Sequence, residues 1–170
     1  NMGRQNISSE IWPTMIVELQ PPEGNIVWEW HLWDHLIQDV DPSLSNFGNI
    51  SEHPELFDIN LNGPVSFDNG DWLHVNAIDY NEELDQILFS SRSLNELYII
   101  DHSTTSEEAA SHVGGNSGKG GDFLYRWGNP MNYHRGDTID TRIVAPHAAN
   151  WIKDNYPGGG NILIFNNNPN

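Results

Sequence analysis

Asp71-Trp72-Leu73-His74-Val75-Asn76-Ala77-Ile78-Asp79-Tyr80, the polar run Asn81-Glu82-Glu83-Leu84-Asp85, then Gln86-Ile87-Leu88-Phe89-Ser90-Ser91-Arg92 and Glu96-Leu97-Tyr98-Ile99-Ile100-Asp101 form the stretch that decides the fold. Three short runs rich in β-branched and aromatic residues are separated by Asn, Asp and Glu, the pattern of strands joined by tight turns. The same signature spreads outward in both directions. Strands are expected at residues 12–19, 25–30, 73–79, 86–90, 96–101, 123–127, 148–152 and 161–165. Pro21-Pro22-Glu23-Gly24 and Pro157-Gly158-Gly159-Gly160 supply further turns. Only residues 32–40, 54–57 and 106–112 suit short helical turns, so the chain reads as all-β.

A weak repeat arranges these strands. Asn25-Ile26-Val27-Trp28-Glu29-Trp30 matches Asp122-Phe123-Leu124-Tyr125-Arg126-Trp127 in pattern, each after a strand ending near an acidic residue, Glu18 or Asp101. Each is followed by a histidine-bearing strand: His74 leads to Ile87-Leu88-Phe89 and His147 to Ile162-Leu163-Ile164. Outer strands, inner strand with His and second strand therefore recur in order, as blades do in a β-propeller. The expected organisation is one partial propeller domain over 1–170, with an outer half-blade at about 12–30, a complete blade at about 72–127 and an inner half-blade at about 147–166. A β-sandwich with a similar number of strands is the alternative. A propeller needs at least about four blades of roughly 40–50 residues each, so 170 residues are short for a whole one. The chain is therefore expected to be a segment of about two to three blades, completed by other chain segments or subunits. It opens on Asn1 with no initiator Met, so a processed or incomplete chain is expected, and no basic-then-apolar leader is visible.

Composition narrows the function classes. Hydrophobic content of 37% with seven Trp argues for a folded core despite the charge. Seven Lys and Arg against 24 Asp and Glu leave a formal charge of −17, which repels nucleic acid and anionic membrane surfaces, so neither is an expected partner. The plain reading of the acidic excess is a solvated coat, with salt adaptation or cation binding as alternatives. No cysteine is present, which removes disulfides, thiolate metal sites and a Cys nucleophile. Apolar runs are too short for a membrane helix. Asn6-Ile7-Ser8 and Asn49-Ile50-Ser51 are glycosylation sequons, a pattern that arises often by chance.

Several motifs invite chemistry and most yield to plainer readings. The run from Gly114 to Gly121 holds a lysine, but no Ser or Thr follows it and no helix pattern begins there, so a flexible insertion between outer strands is expected instead of a phosphate loop. His31 and His35 have i,i+4 spacing, yet Leu32 stands where a zinc peptidase needs Glu, and a strand-to-helix junction is the better reading. Asp39-Val40-Asp41 and Asp68-Asn69-Gly70-Asp71 are oxygen-rich without the spacing of a known Ca²⁺ loop. No cofactor and no metal is expected. By contrast, His74 and Asn76 lie two apart on one strand, and the return through Ser90-Ser91 brings Arg92 toward them. Imidazole, amide and guanidinium together make a donor cradle for a tetrahedral oxyanion; a polar corner with satisfied hydrogen bonds is the structural alternative.

The runs 71–77, 90–92, 96–103 and 120–130, with His147-Ala148-Ala149-Asn150-Trp151-Ile152 and Gly160-Asn161-Ile162-Leu163-Ile164-Phe165-Asn166-Asn167, resemble the bacterial arylsulfotransferase family in the family's order. That resemblance implies a six-bladed propeller, periplasmic or secreted, that moves a sulfuryl group from a phenolic sulfate to a phenol through a sulfated histidine and without an adenylated donor. It implies that His147 stands at the nucleophile's position, and that His74, Asn76 and Arg92 stand where groups bind the sulfuryl oxygens and assist proton transfer. The catalytic set is then His147, His74 and Arg92, and the substrate-binding set Asn76, His74 and Arg92. One departure is plain: Pro146 precedes His147 where the family usually has Gln. A non-catalytic propeller used for binding or extracellular assembly is the alternative.

Overall fold

The computed structural model describes residues 2–5, 11–61 and 70–167. The sequon at Asn6 and the pair Asp68-Asn69 lie outside the described residues. Strands β1 (Met15–Gln20) and β2 (Asn25–His31) form an antiparallel ribbon closed by the Pro-Pro-Glu-Gly turn. Gly24 takes φ +74° there and donates its N–H to the Gln20 carbonyl at 2.9 Å, a conformation glycine adopts without a Cβ penalty. A 3₁₀ turn at Leu32–Asp34 leads into β3 (Leu36–Ile37), which pairs in parallel with β4 (Phe57–Asp58).

Four strands then follow in sequence order as one antiparallel sheet: β5 (Val75–Asn81), β6 (Gln86–Ser91), β7 (Glu96–Asp101) and β8 (Tyr125–Trp127). Between β7 and β8 sits a single helical turn, α1 (Ser106–Ala109). Its capping box is complete, with Glu108 N–H on the Thr105 hydroxyl and Thr105 N–H on the Glu108 carboxylate. A second ribbon, β9 (His147–Trp151) with β10 (Ile162–Phe165), ends the described chain.

Strand alternation explains how these sheets stack. Ile87 and Phe89 of β6 and Tyr98 and Ile100 of β7 face one way, into a core shared with Ile16, Trp28 and Trp30 of the first ribbon and with Phe57, Trp72 and Phe123. Leu88, Leu97 and Ile99 face the other way, against Ala149, Trp151, Ile162 and Ile164 of the second ribbon. The four-stranded sheet is therefore covered on both faces, which is why β6 and β7 read as continuous apolar runs. Phe89, Tyr98 and Phe123 pack ring on ring, with centroids 5.1 Å and 4.7 Å apart. Each core tryptophan N–H finds an acceptor: Trp28 on the Thr104 hydroxyl, Trp30 on the Gly121 carbonyl and Trp72 on the Leu61 carbonyl.

All eight expected strands form, within a few residues of their expected bounds. The two strands the sequence does not announce, β3 and β4, are two residues long and fall where helical turns were expected; their backbone pairing is tertiary and leaves no periodicity to read. The chain is all-β, and its open sheets, a meander in sequence order between two ribbons, are consistent with a segment of a propeller. The Gly114–Gly121 run corrects the expectation of a flexible insertion, because backbone amides tie it down. Ser117 N–H donates to Asp101 Oδ2 at 2.8 Å, Asn116 N–H to the Ser103 hydroxyl at 2.7 Å, and Gly121 N–H to the Ser111 carbonyl at 3.0 Å.

Candidate active site

The candidate residues lie at the starts of β5 and β9 and just past the end of β6, and β9 packs on the face of the sheet that holds β5 and β6. His74 directly precedes β5 with φ +50°, so the backbone turns before the strand proper begins. Asp71 fixes it twice: its Oδ1 accepts the His74 backbone N–H at 3.1 Å and its Oδ2 lies 2.5 Å from Nδ1. The carboxylate accepts, so Nδ1 carries the proton and Nε2 is left for chemistry. Arg92 follows β6 and donates its backbone N–H to the His74 carbonyl at 3.2 Å, which seats the two side by side. Among the described residues its half-buried guanidinium has no hydrogen-bond or ion-pair partner.

Asn76 occupies a β-bulge, where the pairing of β5 with β6 slips by one residue between Val75 and Ala77. The bulge turns its amide toward β9. Asn76 Oδ1 accepts from the Ser90 hydroxyl at 2.8 Å, and Nδ2 donates to the Pro146 carbonyl at 2.9 Å. One N–H and the carbonyl are thus committed to positioning the chain ahead of His147. The simple two-residue rule that places His74 and Asn76 on one face does not carry across a φ of +50° and a bulge.

His147 opens β9, half-buried, between two alanines in the left-handed region, Ala145 at φ +46° and Ala148 at φ +51°. A Cβ there costs about 1–2 kcal/mol per residue, so the surroundings must over-determine the conformation. Four asparagines do so. Asn166 Oδ1 accepts Val144 N–H at 2.9 Å, Asn95 Oδ1 accepts Ala145 N–H at 2.8 Å, Asn167 Nδ2 donates to the Ala145 carbonyl at 2.8 Å, and Asn76 holds the Pro146 carbonyl. Nδ1 of His147 lies 3.0 Å from the Ala145 carbonyl and 2.8 Å from Asn167 Nδ2. The Nδ1–H tautomer donates to the carbonyl; the other tautomer accepts from Asn167. Nε2 has no hydrogen-bond partner among the described residues.

Asn76, two residues past His74, is what ties this clamped turn ahead of His147 to β5. The family model for arylsulfotransferase (ASST) matches residues 2–170, nearly the whole chain.

The chain belongs to the arylsulfotransferase family.

No curated protein and no solved structure gave a match. Within the arylsulfotransferase frame, the structure brings Asn76 onto the backbone before His147 and His74 onto Arg92, while His74, Arg92 and His147 make no hydrogen bonds with one another. The clamp residues Asn95, Asn166 and Asn167 and the partner Asp71 escape sequence reading. Asparagine is common in turns, and only the fold shows that these turns converge. The sole advance signal is the density of Asn at 161–167. The other motifs take plain roles: His31 pairs with exposed Glu29 at 3.4 Å, and Asp41 closes a turn on Ser43.

Proposed function

We propose that the chain carries the sulfuryl-transfer centre of an arylsulfotransferase, with His147 as nucleophile. The observation that carries this reading is the Asn76–Pro146 hydrogen bond at 2.9 Å, which couples the His74–Arg92 corner to the strained turn that presents His147. In the Nδ1–H tautomer the His147 ring is held by the Ala145 carbonyl and Nε2 offers its lone pair. Nε2 attacks sulfur, an N–S bond forms, and the S–O bond to the aryl group breaks with its electron pair leaving on the phenoxide. The guanidinium of Arg92 stabilises the charge on the equatorial sulfuryl oxygens. His74 Nε2 exchanges a proton with the departing phenoxide and then with the acceptor phenol, while Asp71 holds the ring from its other side. The acceptor oxygen attacks sulfur, the N–S bond breaks, and His147 is restored.

The donor is a phenolic sulfate ester and the acceptor a phenol. Other chain segments or subunits complete the propeller, and the protein works in the periplasm or outside the cell, as the family resemblance implies. Incubation with 4-nitrophenyl sulfate and a phenol tests the reading. Transfer, with a sulfuryl adduct mapped to His147 and lost in His147→Ala, is the expected result. Neither product nor adduct from the folded, full-length protein leaves the non-catalytic propeller as the reading.

A further inference from the structure

On the far side of the core from the sulfuryl centre, three segments converge on one point. His35, fully buried after the 3₁₀ turn that follows β2, has Nδ1 2.7 Å from Asp122 Oδ1. His112, just beyond α1, has its own Nδ1 2.8 Å from the same oxygen. The donor atoms of all three residues lie within 4.8 Å of one another.

The second nitrogen of His35 decides what this cluster is. Nε2 lies 2.8 Å from the Ala109 carbonyl, which can only accept, so Nε2 carries a proton. A neutral His35 then points the lone pair of Nδ1 at a carboxylate oxygen, with a second imidazole nitrogen beside it. Neutral His112 can meet that oxygen as an Nδ1–H donor, so the unmatched contact is His35 Nδ1 against Asp122 Oδ1, two acceptors 2.7 Å apart where His35 has no solvent exposure. Either one further proton bridges them, or one metal ion held by all three side chains does. An imidazole that donates its far N–H to a backbone carbonyl while its near nitrogen faces a shared centre is the arrangement of a metal-bound histidine.

The surroundings are built for close approach. The His35 ring stacks on Trp30 at 5.6 Å and 4°. A Cβ on Gly121, next to Asp122, would lie 2.1 Å from the Ala109 carbonyl and 2.6 Å from His35 Nε2, so only glycine lets Asp122 reach this point. The His112 side chain is 59% exposed, which gives an ion a route in and room for water as a further ligand.

We infer that His35, His112 and Asp122 form a divalent transition-metal site, of the class that takes Zn²⁺ through two imidazoles and one carboxylate. Bond lengths of about 2.0–2.1 Å to Zn²⁺ set donor atoms about 3.3 Å apart, so the two contacts of Asp122 Oδ1 with the imidazoles, 2.7 and 2.8 Å, each widen by about half an ångström on binding. Exposed His112 follows by a side-chain rotation, and the carboxylate of Asp122 turns to widen the contact with His35. The ion clips the glycine-rich loop to the β2–β3 connection and stands apart from the sulfuryl centre.

The test is titration of the purified chain with Zn²⁺, followed by calorimetry, bound-metal analysis and thermal melting, with Co²⁺ visible absorption to report nitrogen ligation. One equivalent is expected, with the melting temperature raised by several degrees. His112→Ala, chosen because an exposed side chain is lost without disturbing the core, should lower affinity at least tenfold and abolish the thermal shift. Equal Zn²⁺ affinity in wild type and His112→Ala overturns the site, as does ¹⁵N-histidine NMR showing both His35 nitrogens still protonated with Zn²⁺ in excess.

Discussion

Around His147 the decisive residues are small and polar, and their effect is conformational. Ala145 and Ala148 hold left-handed backbone that glycine would adopt freely. Ala145→Gly should raise stability by about 1 kcal/mol, read as a higher denaturant midpoint, while lowering sulfuryl transfer because the histidine is less firmly presented. Asn76→Ala should act in the opposite sense on stability. It leaves the Pro146 carbonyl without its donor and strands the Ser90 hydroxyl, costing about 1–2 kcal/mol and most of the activity, measurable by urea unfolding and 4-nitrophenol release. Motif and order in the sequence mark His74, Arg92 and His147 as candidates. Their geometry is not legible there, because bulges and positive φ angles are set by what packs on the strand and not by its own residue pattern.

Among the elements, the β7–β8 connection shows most clearly how polar groups organise a β structure. Asp101, at the end of β7, accepts from Ser103 N–H, the Ser103 hydroxyl and Ser117 N–H. Burial opposes its charge, but the Ser103 and Ser117 hydrogen bonds outweigh burial and hold its pKa below the usual aspartate value. The unfolded chain keeps the ordinary value, about 3.9, so this contribution is present in full above that pH and is lost as pH falls through the lower, folded value. Asp101→Asn should therefore be destabilised at pH 7 by about 1–3 kcal/mol, with the gap from wild type closing below pH 4 in acid-unfolding curves. The same connection ends on a second polar anchor. Arg126 of β8 forms a bidentate pair with buried Glu96 at 2.7 and 3.0 Å, and Tyr98 and Asn132 also donate to that carboxylate. Arg126→Met removes one partner of a buried pair and should cost about 3–5 kcal/mol by chemical denaturation. The sequence shows Arg126 only as the polar member of a strand pattern; its pairing crosses 30 residues and depends on β7 lying next to β8.

For the molecule as a whole, the stacked sheets are held from the centre outward. Phe89 is fully buried where the four-stranded sheet meets the first ribbon, and Phe89→Ala should cost about 3–5 kcal/mol by thermal or denaturant unfolding. At the periphery, the first ribbon exposes Leu19, Ile26 and Val27 and the second exposes Leu163 and Phe165, each about half or more open to solvent. Uncovered apolar faces of this kind should drive self-association. Ile26→Thr with Phe165→Thr should shift sedimentation toward monomer without changing the circular dichroism spectrum.

Local sequence determined the all-β class, the positions of eight strands and the blade-like order, because alternation, turn residues and repeat spacing are properties of neighbouring residues. Family membership was also present in the linear order of the motifs. Only the tertiary structure decided that four asparagines from separate turns clamp the approach to His147, that Asp71 orients His74, and that His35, His112 and Asp122 meet. Asp71 and His74 are three positions apart but meet through a backbone turn at φ +50°, and the other contacts join residues up to 87 positions apart, which a chain specifies only by folding its sheets together.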